Sequence, residues 1–139
     1  MEVSRWMTRA PRCAAEDERL DSVVEAMHAG RFRQVPVVDG AGHLLGILTQ
    51  RDIAEHKGYL DTTKVSAAMR EPALSIRPED PIEVAAQILL DRKIGGLPVV
   101  DEERRVLGII TTTDLLRGLL SRMGGAEGQR HREHGGAAG

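Results

Sequence analysis

Two places in the chain combine residue types that could do chemistry at a fixed spacing: Thr49-x-x-Asp52 and Thr111-x-x-Asp114, each closing a short apolar run. A carboxylate three residues after a hydroxyl has two uses. It can accept hydrogen bonds from a vicinal diol, as acidic residues do for the ribose of dinucleotides, with the hydroxyl bonding the same sugar or a phosphate. Alternatively, the pair closes the first turn of a helix as a variant capping box. Spacing alone favours the cap, and the two uses are compatible because a helix N-terminus also offers amides to a phosphate. The first copy has two bases nearby, Arg33 and Arg51, where the second has Gly95 and Thr113. These arginines suit a phosphate on a ligand held by Asp52, or they are ordinary solvated surface charge. The cleft carrying Asp114 would then take a less charged ligand, borrow a base from the other half, or stand empty.

Other chemistries find little support in the 139 residues. Cys13 is the sole cysteine, which excludes an intramolecular disulfide and a Cys-x-x-Cys metal site, and no base lies near it in sequence. No Ser/His/Asp arrangement of known spacing appears, so no enzymatic activity is expected. His131-Arg132-Glu133-His134 lies in a Gly-rich tail with no structured second shell to orient it, and no metal or cofactor is expected there. A net charge of −2 and a set of three aromatics, Trp6, Phe32 and Tyr59, argue against a nucleic-acid partner. No stretch of apolar residues is long enough to span a membrane. Met1 to Cys13 carries Glu2, Arg5, Arg9 and Arg12 rather than a leader-like apolar run, so a cytoplasmic location is expected.

The elements that must position these residues come from a duplication. Val35-Pro36-Val37-Val38-Asp39 matches Leu97-Pro98-Val99-Val100-Asp101, an offset of 62 residues. The same offset pairs Met7 with Met69, Leu45-Gly46-Ile47 with Leu107-Gly108-Ile109, and Thr49 and Asp52 with Thr111 and Asp114, with no gap between anchors. Leu20, Val23, Val24 and Met27, and equally Ile82, Ala85, Ala86 and Leu89, have the spacing of a helix with one buried face. Asp80 is expected to cap the second of these, with Pro81 in its first turn and Glu83 completing a capping box. A strand–turn–strand follows at Val35–Val38 and Leu44–Thr49 and again in the second repeat, and a short helix then begins near each Asp. Short extended pieces at 12–15 and 74–77 complete each unit. The repeats are placed at 1–58 and 65–123, with 124–139 read as a disordered tail. One unit buries too little surface to be comfortably stable, so two are expected to stack sheet against sheet around a shared core. The predicted fold class is α+β, two tandem βαββα repeats packed as a pseudo-twofold pair.

The pattern apolar-Pro-Val-Val-Asp followed by Leu-Gly-Ile-x-Thr-x-x-Asp, present in both repeats, resembles the CBS domain family over residues 3–120. The resemblance is to a tandem pair, or Bateman module, of the bacterial stand-alone type. It implies a regulatory module that binds adenosine-containing nucleotides such as AMP, ADP, ATP or S-adenosylmethionine in clefts between repeats. It makes Thr49, Asp52, Thr111 and Asp114 ribose contacts. It places adenine against Cys13, Ala14, Gln34, Val35 and Pro36 in one half, and against Ser75, Ile76, Ile94, Gly96, Leu97 and Pro98 in the other. It further implies a homodimer formed through terminal helices and an effector protein that reads occupancy. The alternatives left open are an unliganded structural module and a regulatory fragment of a larger enzyme or transporter.

Overall fold

Each half is built on a β-hairpin whose turn is tied by one aspartate. The computed structural model describes residues 1–124. In the first half β3 (Gln34–Val38) pairs antiparallel with β4 (Leu44–Thr49), and in the second β5 (Gly96–Val100) pairs with β6 (Val106–Thr111). Asp39 accepts hydrogen bonds from the Ala41 and His43 amides at 2.9 Å, and Asp101 does the same for Glu103 and Arg105. Those amides favour the ionised carboxylate and hold both acids below their ordinary pKa. The turns are thus the same device although one contains glycine and the other does not.

Helices α2 (Leu20–Gly30) and α5 (Ile82–Arg92) lay their apolar faces on these hairpins, burying Leu20, Val23 and Met27 in one and Ile82, Ala85 and Leu89 in the other. Neither has a side-chain cap. The residue at the cap of α5 is Pro81, not Asp80, whose carboxylate instead accepts the Arg77 amide at 2.9 Å and closes the preceding turn. Glu83 makes no capping box and lies on the exposed face near Arg122. The first amides of the helices go to the backbone of distant segments: Leu20 N to Thr63 O at 3.0 Å, and Ile82 N to Met1 O at 2.9 Å. A buried helix terminus needs such partners.

Those segments belong to arms that the halves exchange. The first arm holds α1 (Val3–Trp6) and β1 (Thr8–Arg9), and β1 pairs with β6 of the second half, Thr8 opposite Ile109. The second arm holds α4 (Val65–Ala68), and its Arg70 bridges Ile47 of β4. The sheets therefore run β1-β6-β5 and β2-β3-β4, with β2 (Ala14–Ala15) parallel to β3. The glycines of the repeated Leu-Gly-Ile make room for the arms. A Cβ on Gly46 would stand 2.7 Å from the Arg70 carbonyl oxygen, and one on Gly108 would stand 2.6 Å from that of Thr8.

The single shared core expected from the repeat is replaced by two. Val3 and Met7 join Ile76, Ile82, Leu97 and Ile110 beneath α5, while Val65 joins Leu20, Val23, Val35 and Leu48 beneath α2. A small third cluster of Leu44, Ala73 and Val100 joins the hairpins, where Leu44 N donates to Arg104 O and Val106 N to Gly42 O. The expected extended piece at 74–77 reduces to one bridge, Ile76 to Val99. The closing helices are α3 (Gln50–Ala54) and the longer α6 (Thr112–Met123). Among the described residues no helix is long and apolar enough to cross a membrane. The tail reading concerns residues that, apart from Gly124, lie outside the described ones, as does His131-Arg132-Glu133-His134.

Candidate functional site

Each strand β4 and β6 passes into its helix without a loop, so that Thr49 and Thr111 are at once the last strand residue and the N-cap. The capping box forms in both. The Thr49 hydroxyl accepts the Asp52 amide at 3.2 Å and donates to Asp52 Oδ2 at 2.8 Å, and the Thr49 amide reaches the same oxygen at 3.1 Å. At Thr111 and Asp114 the corresponding distances are 3.3, 3.0 and 2.9 Å. Among the described residues these aspartates are the only buried charged side chains, 5% and 3% exposed. Burial of a carboxylate is tolerable because its oxygens are so fully bonded.

The cap consumes Oδ2 and leaves Oδ1, and in each half Oδ1 faces the exchanged arm. At Asp52 the partner is Arg70, whose Nε lies 2.8 Å from Oδ1. Hydrogen bonding to that carboxylate, with its charge and that of Glu55, raises the Arg70 pKa further. At Asp114 the pseudo-twofold mate of Arg70 is Thr8, with its hydroxyl 3.4 Å from Oδ1, and Arg117 approaches to 3.7 Å.

The other residues singled out in sequence divide by strand face. Ala14, Val35, Ile76 and Leu97 point into the two cores, so only their backbones remain for a ligand. Pro36 and Pro98, fully buried, lie on the opposite face with Gln34 and Gly96, as strand alternation requires. This is the face each sheet turns toward the other half. Gln34 is paired with Thr49 and Gly96 with Thr111, which sets both positions beside the caps. A Cβ on Gly96 would come within 2.7 Å of Gln34 Nε2, so the Gln34 amide uses the room glycine leaves across the pseudo-twofold. Ile94, Cys13 and Ser75 are half-buried on flanking segments. Burial pushes the Cys13 thiol pKa up, away from the reactive thiolate.

Arg33 and Arg51 are both exposed. The Arg33 carbonyl accepts the Gln50 amide at 3.0 Å, which sets residue 33 against the first turn of α3, and Arg51 lies in that turn. Sequence reasoning missed Thr8, Arg70 and Arg117. Thr8 and Arg70 follow the paired methionines in the same repeat register, a usable signal, but the repeat says nothing of which half each arm joins. Among the described residues no group of His, Cys, Asp and Glu is placed to hold a metal ion.

A pseudo-twofold pair of βαββα halves, each presenting a buried carboxylate at a strand-to-helix junction, defines a duplicated α+β module with two related but unequal candidate sites. The CBS domain family matches residues 3–58 and 65–121, and the chain belongs to that family. It is 33% identical over 113 residues to a CBS domain-containing protein of Dictyostelium discoideum, across 72% of this chain and 78% of that protein. It is also 33% identical over 115 residues to the homoserine O-acetyltransferase of Methanococcoides burtonii, but spans only 23% of that enzyme's length. Among solved structures, CBSX2 in complex with AMP superposes with a TM-score of 0.82 at 25% identity, covering 88% of this chain and 98% of that one. The CBS domain pair of protein MJ0100, in complex with 5′-methylthioadenosine and S-adenosyl-L-methionine, gives 0.80 at the same identity and coverage.

Proposed function

We propose that this chain is a ligand-sensing regulatory module whose two clefts bind adenosine-containing ligands and pass their occupancy to a partner protein. The observation that carries this reading is the buried aspartate in each half, whose cap takes one carboxylate oxygen and leaves the other directed at the arm. Asp52 and Asp114, with Thr49 and Thr111, would hold the ribose hydroxyls. Adenine would lie on the inter-sheet face, against Pro36 or Pro98 and the backbone of Gln34–Val35 or Gly96–Leu97, flanked by Cys13–Ala14, Ser75–Ile76 and Ile94. Arg33 and Arg51 would take phosphate. The adenosyl ligands of related CBS pairs support the ligand class.

Two surface features bear on how copies of such a module would associate. Leu116, Leu119, Leu120 and Met123 form an exposed apolar stripe on α6. A hollow of about 240 Å³ lined by Val24, Met27, Ile53 and Leu60 lies on the helical face of the other half. Together they suit a homodimer that seats each stripe in its partner's hollow, a state sedimentation measures. An effector in the cytoplasm completes the reading.

Calorimetric and thermal-shift titration with adenosine, AMP, ADP, ATP and S-adenosylmethionine tests it. A ligand at 100 times its Kd should add about 2.7 kcal/mol to stability. Asp52→Asn should remove binding at the first cleft, and Arg33→Ala or Arg51→Ala should weaken ATP more than adenosine. Absence of stabilisation by every one of these ligands would leave the module an unliganded scaffold.

A further inference from the structure

The two clefts differ in what stands on the free carboxylate oxygen. Arg70 reaches Asp52 from the second arm at 2.8 Å, whereas its mate Thr8 reaches Asp114 as a neutral hydroxyl at 3.4 Å. The position after the cap is reversed as well. Glu55, three residues after Asp52, acts on Arg70 through its charge, and its mate Arg117 stands 3.7 Å from Asp114, beyond hydrogen-bond length. The Arg70 backbone is pinned by bonds to Ile47 in both directions, at 2.8 and 3.1 Å, while its side chain is 59% exposed. The head can therefore leave Asp52 without the arm leaving the sheet.

We infer that Arg70 is the charge selector of the Asp52 cleft: it holds the carboxylate oxygen that a ribose diol needs, and yields it most readily to a ligand whose own anionic group re-pairs the guanidinium. This rests on the adenosyl-binding reading above. A diol entering the cleft donates to Asp52 and displaces Arg70, whose guanidinium stays charged at any working pH. A neutral nucleoside exchanges a bond between two charges for bonds from neutral hydroxyls and leaves the guanidinium without its partner, so it gains little. A phosphate gives the displaced guanidinium a two-oxygen partner of matching geometry. The Asp114 cleft makes no such demand, because moving the Thr8 hydroxyl strands no charge. The clefts thus sort ligands, anionic adenosyl compounds to Asp52 and neutral ones to Asp114.

The test is titration of the full chain with adenosine and with AMP, reading the backbone amide NMR signals of Thr49 and Thr111 so that each cleft is followed separately. Arg70→Thr installs the residue of the mate position. It should tighten adenosine and weaken AMP at the Thr49 cleft, lowering the AMP-to-adenosine affinity ratio there about tenfold, roughly the worth of one charge-assisted bond. Arg70→Lys should keep most of the preference. Thr8→Arg should raise the ratio at the Thr111 cleft. Thermal melts check that each variant is folded, and Arg70→Gln replaces Arg70→Thr if that one is not. Binding with an unchanged ratio in the folded neutral variant overturns this inference alone. Failure of the unsubstituted chain to bind either ligand overturns it together with the reading beneath it.

Discussion

Val3→Ala separates two accounts of which half the N-terminal residues stabilise. By repeat register Val3 belongs with the first unit, yet its side chain is fully buried among Ile76, Ile82 and Leu97 under α5. Removing its two outer carbons forfeits about 0.8 kcal/mol of transfer free energy each, and the void left behind adds to this, for a total near 2 kcal/mol. Collapse of the one-turn helix α1 into the void would bring that down to the transfer part alone, about 1.6 kcal/mol. For a chain of this size the loss corresponds to a fall in Tm of roughly 5–10 °C. The decisive assay is hydrogen exchange resolved by residue. Amides of α5 and β5 should lose protection through local opening of the second half, while those of α2 and β3 keep theirs. Val65→Ala should give the mirror image, loosening α2 and β3. If Val3→Ala instead exposes α2, the arms are not exchanged and the placement of Arg70 on Asp52 fails with them.

Gly46→Ala should be costly for a glycine without unusual backbone angles, by about 1–3 kcal/mol, because the new Cβ meets the Arg70 carbonyl of the second arm. Gly40→Ala, which meets nothing within 4 Å, should be close to neutral in the same denaturant titration. Acid should destabilise the fold. Arg12 hydrogen-bonds Glu18 and holds its pKa down, and turn amides do the same for Asp39 and Asp101. A carboxylate with a depressed folded pKa contributes stability above its unfolded value, about 4, and loses it as pH falls through the folded one. Tm should therefore drop as pH is lowered from about 5 to about 3. Glu18→Gln should melt lower at neutral pH yet show a shallower acid slope, and an unchanged slope would remove Glu18 from the account.

Much of the fold and part of the site were legible along the chain because the signals are local. The 62-residue repeat, the helical spacing of Leu20, Val23 and Met27, and the β-branched runs around Pro36 and Pro98 each specify an element by near neighbours. Thr-x-x-Asp specifies a cap in the same way, and the cap formed twice. Asp80 was misleading for a related reason. Its carboxylate had a nearer amide at Arg77, while the helix drew its partner from Met1, far off in sequence.

The residue types and spacing thus determined two equivalent hairpin-and-helix units with a carboxylate at each junction. Only the tertiary structure decided which arm covers which unit. The free edges of β4 and β6 present the same Leu-Gly-Ile, and the arms the same Val-Ser and Met, so neither pairing is favoured by the pattern itself. Long-range contacts hold the choice, with Val3 bonded to Asp80 and buried under α5 and Val65 bonded to Glu18 and buried under α2, and that choice sets Arg70 on Asp52 and Thr8 on Asp114. The inequality of the two clefts, suspected from Arg33 and Arg51, therefore includes a charge that the first repeat receives from the second.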